Sequence, residues 1–97
     1  MRLYLDDVRP APEGWVLVKT AAECISFLKT FGVECLSLDH DLGDNVDTGY
    51  TVVCWMEEND IWPTHKPSVH SANPVGRARM QQVIDLNFPK GATNGRI

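Results

Sequence analysis

The chain has 97 residues and a mass of 10.9 kDa, and 43% of its residues are hydrophobic, which suits one small domain and excludes a multidomain enzyme. Nine Lys and Arg against thirteen Asp and Glu give a formal net charge of −4, which disfavours non-specific nucleic-acid binding through a basic surface. No apolar run approaches the roughly 20 residues that span a bilayer and no secretory signal opens the chain, so we expect a soluble, cytoplasmic protein with no membrane partner.

The first part of the chain predicts two strands and a helix. Residues 2–5 form a short strand that runs into an acidic pair, and a loop rich in Pro and Gly follows. The apolar run at 15–18 predicts a second strand, of the kind that is covered on both faces. Thr20 and Glu23 form a capping box, and apolar residues at helical spacing then predict an amphipathic helix that ends before Gly32.

The middle of the chain predicts a third strand and a second helix. The strand covers residues 35–38 and ends in acids, and a polar turn over 43–47 follows. Either Asp47 or Thr48 caps a helix that continues to about Asn59. The cysteines have no C-x-x-C spacing and lie among apolar residues, which favours buried, reduced thiols.

The last part of the chain predicts a fourth strand and a third helix. The strand begins with residues 67–69 and runs into His70 and Ser71, and Asn73 with the proline after it begins a helix that runs to about Asn87. We therefore expect one domain over 1–88. The tail over 89–97 has little to pack against and is expected to fray.

Strands that alternate with helices predict an α/β fold, here a three-layer parallel sheet of about four strands with three helices. In such sheets ligands bind beyond the carboxyl ends of the strands. Polar residues follow three of the predicted strands at this edge: Asp6 and Asp7; Asp39, His40 and Asp41; His70, Ser71 and Asn73. The carboxyl edge of the sheet is therefore the candidate site.

Acids that meet at one edge favour a cation. Two carboxylates about 4 Å apart repel by roughly 4 kcal/mol at an effective dielectric near 20, so they need a cation or a proton. Oxygen ligands without a thiolate suit magnesium or manganese, and these are the metals that we expect. The alternative is that each Asp only caps a turn or a helix.

Two histidines add proton-transfer chemistry to this edge. His40 lies between two acids, which favour its charged form and make it a candidate proton donor near neutral pH. His70 ends the fourth strand beside the same acids. The alternatives are an exposed loop residue for His40 and a hydrogen-bonded, half-buried side chain for His70.

The start of the last helix is a candidate phosphate site. Backbone N–H groups from Asn73 onward can hold an anion, with Arg77 in the first turns and Arg9 in the first loop as further positive charges. The alternative is a solvated helix end with ordinary surface arginines.

From the first strand to the last helix, the chain resembles receiver-like domains of the flavodoxin-like class. An acidic pair follows the first strand in L-Y-L-D-D, an acid ends the third in L-S-L-D, and Ser71 ends the fourth. This resemblance implies that Asp6 and Asp7 are metal ligands and that Asp39 occupies the phosphoacceptor position. The chain differs from a signalling receiver, since it has no room for a first helix, no fifth strand and no lysine after one.

A closer resemblance is to the cyclic-phosphate processing receiver domain of bacterial and phage proteins. It covers about residues 1–85 and includes four stretches: L-D-D-V-R-P, S-L-D-H-D-L-G, T-G-Y and H-S-A-N-P-V-G-R. The family's name implies hydrolysis or binding of a cyclic phosphate.

The leading hypothesis is a metal-dependent phosphoesterase, a hydrolase that opens the cyclic phosphate of a nucleotide or of a 2′,3′-cyclic end. In it His40 activates water, His70 protonates the leaving oxygen, and Asp41 orients His40, although the acid and base roles can be exchanged. The metal ligands in this hypothesis are Asp6, Asp7 and Asp39. The residues that hold the phosphate are Arg9, Ser71, Asn73 and Arg77.

Two other hypotheses stay open. One is a non-catalytic module that binds a small phosphorylated ligand or a partner protein. The other is phosphoryl transfer to Asp39, which predicts labelling by a small phosphodonor.

Overall fold

A computed structural model describes residues 1–43 and 47–89, which form one four-stranded sheet and three helices. The elements in chain order are β1 (Arg2–Leu5), β2 (Val16–Val18), α1 (Ala21–Thr30), β3 (Cys35–Leu38), α2 (Gly49–Asn59), β4 (Ser68–Val69) and α3 (Pro74–Asn87). The predicted α/β class, the four strands and the three helices are confirmed. Most of the predicted turn over 43–47 and of the predicted tail over 89–97 lies outside the described residues.

The sheet is parallel throughout, with the strand order β2-β1-β3-β4. Tyr4 of β1 pairs with Ser37 of β3, which pairs with Ser68 of β4. Because all strands run the same way, the loops that follow them leave from one edge, and the polar residues after β1, β3 and β4 meet there.

Each helix begins at a polar cap that the sequence identifies locally. The Thr20 hydroxyl accepts a hydrogen bond from the Glu23 N–H at 3.1 Å, and the Asn73 side chain accepts one from the Gly76 N–H at 3.0 Å. Thr48, rather than Asp47, caps α2. A cap of this kind stabilises a helix by about 1 kcal/mol, so the three caps fix where the helices start.

The three helices pack side by side on one face of the sheet. α2 lies between α1 and α3 and contacts both, and α1 also contacts β1. The core between sheet and helices contains the buried residues Leu3, Leu5, Val18, Leu36, Leu38, Val52, Val53, Met56, Met80 and Ile84. The described part of the chain therefore has two layers rather than the three predicted.

The third layer is absent from the described part of the chain because of the direction in which the connections between strands cross the sheet. Right-handed crossovers place a helix on a side of the sheet that depends on the direction in which the chain moves. α1 and α2 connect strands in the same direction across the sheet, and the connection that moves in the opposite direction, β1 to β2, contains no helix.

The second face of the sheet, which we call the open face, has no described helix over it. Alternation along the strands and their register give it Tyr4, Leu17, Cys35, Ser37 and Ser68. Leu17 is 36% exposed, so the prediction that β2 is covered on both faces is wrong. β2 is an edge strand, and no described helix lies against its outer side.

Of the three cysteines, Cys24 is buried and Cys35 and Cys54 are half-buried, and all three are free thiols. No helix within residues 1–43 and 47–89 is long and apolar enough to cross a membrane.

Candidate functional site

Asp6 follows β1 and is held by the loop that replaces a first helix. Its side chain is almost fully buried, at 1% exposed. Its Oδ1 accepts hydrogen bonds from the backbone N–H groups of Val8 and Arg9, both at 2.8 Å, and its own N–H donates to the Val18 carbonyl at 3.0 Å. The carboxylate is thus fixed by the backbone around it.

Asp39 follows β3, the next strand of the sheet, and is half-buried. Its Oδ1 accepts a hydrogen bond from the His40 N–H at 2.8 Å, and the hydroxyl of buried Ser71 also bonds to its carboxylate. Its backbone N–H donates to the Leu5 carbonyl at 3.0 Å. Residues that follow β3 and β4 therefore bond to this carboxylate, and the end of β1 holds its backbone.

The pKa values of the two carboxylates are shifted in opposite directions. Burial and the negative charge of Asp6 raise the pKa of Asp39, and hydrogen bonds from Ser71 and His40 offset only part of this. Burial alone would raise the pKa of Asp6, but the N–H groups of Arg9 and Val8, together with His70, lower it below its ordinary value. Asp6 is therefore the more stable anion of the pair.

His70 directly follows β4 and bridges two parts of the fold. Its Nε2 lies 3.0 Å from Asp6 Oδ2, and its Nδ1 lies 2.7 Å from the Ser37 hydroxyl oxygen. Its ring stacks on Tyr4 with a centroid distance of 4.2 Å and an interplanar angle of 4°. Three contacts thus fix both the plane of the imidazole and the direction of its nitrogens.

Asp6, Asp39 and His70 form a group that can hold a metal ion, because one ligand atom of each lies within 4.8 Å of the other two. Two carboxylates and one imidazole are a suitable donor set for a divalent cation. Asp7, a predicted ligand, is not in this group. Its Oδ2 lies 2.5 Å from where a Cβ on Gly43 would be, so its carboxylate packs against the next loop instead.

A second cluster, the His40–Asp41 pair, lies at the start of α3. His40 Nδ1 is 2.8 Å from Asp41 Oδ1, which also accepts a hydrogen bond from the Asn73 amide at 3.3 Å. These hydrogen bonds, that of His40 first, lower the pKa of Asp41. The His40 ring lies so close to Gly76 that a Cβ there would come within 2.5 Å of its Cδ2. The start of α3 therefore fixes this ring.

The predicted phosphate residues divide into two groups. Ser71, Asn73 and Arg77 come together at the start of α3, where the Asn73 N–H donates to the Ser71 hydroxyl at 3.0 Å and Arg77 donates to the Ser71 carbonyl at 3.4 Å. Arg9 is separate from them. Its side chain is exposed and makes no ion pair within residues 1–43 and 47–89.

Sequence reasoning missed Tyr4 and Ser37, both of which contact His70. Each lies inside a strand between two buried leucines, so the alternation places both on the face opposite the core. A polar residue inside a strand, as in L-S-L-D, was the available signal. Which residue it would contact depended on the pairing of β3 with β4.

The chain matches the sequence profile of the cyclic-phosphate processing receiver domain over residues 1–86, from β1 through nearly all of α3. No curated protein and no solved structure shows significant similarity to the chain. The profile match covers most of the chain and confirms the resemblance seen in its motifs. The chain belongs to the cyclic-phosphate processing receiver domain family.

Proposed function

We propose that the chain is a metal-dependent phosphoesterase that opens a cyclic phosphate. The observation that carries this proposal is the connection between the group Asp6, Asp39 and His70 and the His40–Asp41 pair. The His40 N–H donates to Asp39, and Asn73 bonds to both Ser71 and Asp41, so the two clusters form one polar network. The family's name supports a cyclic phosphate as the ligand.

The metal in this proposal is held by Asp6, Asp39 and His70. Asp39, whose pKa is raised partly by the charge of Asp6, is the carboxylate that gains most from a nearby cation. When bound, a divalent cation supplies positive charge that stabilises the phosphoryl oxygens and the departing oxygen. Asp7 packs against Gly43 and is given no ligand role.

The proton acceptor in this proposal is His40. Asp41 accepts a hydrogen bond from Nδ1–H, which leaves the lone pair on Nε2, and no described side chain bonds to that nitrogen. Nε2 takes a proton from water as the water oxygen bonds to phosphorus. The bond from phosphorus to one ring oxygen breaks, and that oxygen takes a proton from solvent. A cyclic mononucleotide would give a phosphomonoester.

His70 is not the acid of this proposal, although sequence analysis gave it that role. Both of its ring nitrogens have partners, Asp6 and Ser37, so neither can donate to a substrate without breaking a contact. The phosphate is instead held by the positive end of the α3 dipole with Asn73 and Ser71 around it, and by the charge of Arg77. Arg9, which is separate from this group, is given no role.

Turnover measurements test the proposal. Cyclic mononucleotides, cyclic dinucleotides and RNA with 2′,3′-cyclic ends are incubated with the protein and Mg²⁺, Mn²⁺ or Zn²⁺. We expect turnover with at least one substrate and a loss of about 10²- to 10⁴-fold in His40→Ala. His65→Ala is the matched control, because His65 is exposed and its side chain makes no described contact. Absence of turnover with every substrate and metal would refute the proposal.

A second candidate function, a non-catalytic module that binds a phosphorylated ligand or a partner protein, is favoured by one observation. Every buried side-chain nitrogen and oxygen of the described residues has a hydrogen-bond partner, so the group is complete without a cation. Calorimetry with the same ligands distinguishes the two functions. Binding that needs no metal, is unchanged in His40→Ala and is accompanied by no turnover would favour the module.

A further inference from the structure

Ser37 holds the imidazole of His70 from the side opposite the carboxylates. It lies in the middle of β3 on the open face, yet is only 7% exposed. Its hydroxyl is 2.7 Å from His70 Nδ1, and Tyr4, its neighbour across the sheet, stacks on the same ring. The Nδ1 side of the His70 ring is thus anchored to β3, in the middle of the sheet.

The hydroxyl of Ser37 suits both neutral forms of His70. Nε2 faces Asp6, an acceptor, so in the neutral ring Nε2 carries the hydrogen and Nδ1 accepts one from Ser37. If Nε2 binds a cation, its hydrogen must be absent, and the hydrogen lies on Nδ1. Ser37 then becomes the acceptor, because a hydroxyl can donate or accept. No other described residue bonds to Nδ1.

We propose that Ser37 is the positioning residue that lets His70 exchange its contact with Asp6 for a cation, and that the site favours cations that accept an imidazole nitrogen over Mg²⁺. Imidazole ligands generally need a partner on their other nitrogen to fix their orientation. Mg²⁺ prefers oxygen ligands and retains its waters, so it gains little from His70. This inference rests on the metal group of the proposed function.

Calorimetry with Mn²⁺ and with Mg²⁺ on the whole chain tests the role of Ser37. In Ser37→Ala we expect Mn²⁺ to bind about 10- to 100-fold more weakly, with Mg²⁺ binding unchanged. The matched control is Ser68→Ala, because Ser68 pairs with Ser37 on the same face but is exposed and makes no described side-chain hydrogen bond. Ser37→Thr keeps the hydroxyl and should bind Mn²⁺ as the unaltered chain does.

Nitrogen NMR of His70 in the unaltered chain gives a readout that needs no variant. Titration with Zn²⁺ should move the ring hydrogen from Nε2 to Nδ1. The inference is overturned if Zn²⁺ leaves the hydrogen of His70 on Nε2, or if Ser37→Ala binds Mn²⁺ as tightly as Ser68→Ala does. It is also overturned if Ser37→Ala weakens the binding of Mn²⁺ and of Mg²⁺ equally, because that result indicates general damage to the site. Absence of binding of every cation to the unaltered chain would refute the metal group itself, and the proposed function with it.

Discussion

His70 Nε2 lies 3.0 Å from Asp6 Oδ2, although the two residues are 64 positions apart in the chain. Asp6 follows β1 and His70 follows β4, and β3 lies between these strands. The backbone N–H groups of Arg9 and Val8, together with this contact, lower the pKa of Asp6, while burial and then the charge of Asp6 raise the pKa of its neighbour Asp39. The two acids therefore contribute to stability with opposite signs, which leads to a test by pH.

Asp39→Asn should stabilise the cation-free protein at neutral pH. The folded pKa of Asp39 is raised above the ordinary value of 3.8, so its ionised form costs stability above that raised pKa. This cost disappears as the pH falls through the raised pKa towards 3.8. The gain in unfolding free energy is about 1 kcal/mol or less, because solvent screens a half-buried site. Urea unfolding between about pH 4 and pH 7 measures it, and the gain should shrink at the acidic end.

Asp6→Asn is the control for this measurement, because it should change the unfolding free energy in the opposite direction. The folded pKa of Asp6 is lowered, so its ionised form stabilises the fold above 3.8, and that stability is lost as the pH falls through the folded pKa. The Asn variant should therefore be less stable than the unaltered chain at neutral pH. If Asp39→Asn also proves less stable there, ionised Asp39 does not carry the net cost that its burial and the charge of Asp6 indicate.

Gly76→Ala should displace His40. A Cβ at this position would lie 2.5 Å from His40 Cδ2 and 2.7 Å from its Nδ1, and the hydrogen bond to Asp41 limits how the ring can move away. Overpacking of this kind costs about 1–3 kcal/mol, and turnover by the proposed mechanism should fall with it. Urea unfolding and turnover are measured together.

Gly32→Ala is the matched control, since a Cβ at Gly32 meets no atom within 4 Å. We expect little change in its stability and none in its turnover. A Gly76→Ala variant that resembles this control in both measurements would show that His40 does not pack against the start of α3.

Asp41→Asn should lower turnover while leaving the stability of the fold almost unchanged. The Asp41 side chain is 62% exposed, and solvent screens an exposed ion pair, so the unfolding free energy should hardly change. If Asp41 orients His40 as proposed, turnover should nevertheless fall by part of the roughly 10²- to 10⁴-fold effect of a general base. Turnover equal to that of the unaltered chain would remove Asp41 from the mechanism while leaving His40 in place.

Local signals explain why the element boundaries were predictable from the sequence. Thr20, Thr48 and Asn73 each cap a helix through a backbone N–H two or three residues away, and such contacts do not depend on the rest of the fold. The position of the acids was predictable for a similar reason. Parallel strands end at a common edge, so a residue that directly follows a strand lies at that edge whatever the strand order.

Contacts that depend on strand order and on backbone direction were not predictable in the same way. His70 contacts Asp6 and Ser37 only because β4 lies next to β3 in one register. Asp7 lies outside the group of Asp6, Asp39 and His70 because the chain turns where Asp6 accepts hydrogen bonds from the N–H groups of the following loop. The number of layers depended on the direction of each crossover, which requires the strand order.

Cysteine labelling tests the open face. Burial raises the pKa of the Cys24 thiol to about 12, so Cys24 should resist iodoacetamide in the folded protein near pH 8. Cys35 is half-buried on the open face, with no described helix over it, and should react much faster. Mass spectrometry of peptides from the folded protein measures both rates, and the same reaction in urea should label both thiols equally. If Cys35 is protected as strongly as Cys24 when the protein is folded, then that face is covered in solution. Repeating the labelling at a series of protein concentrations would then show whether the cover is a second copy of the chain, because only that protection falls on dilution.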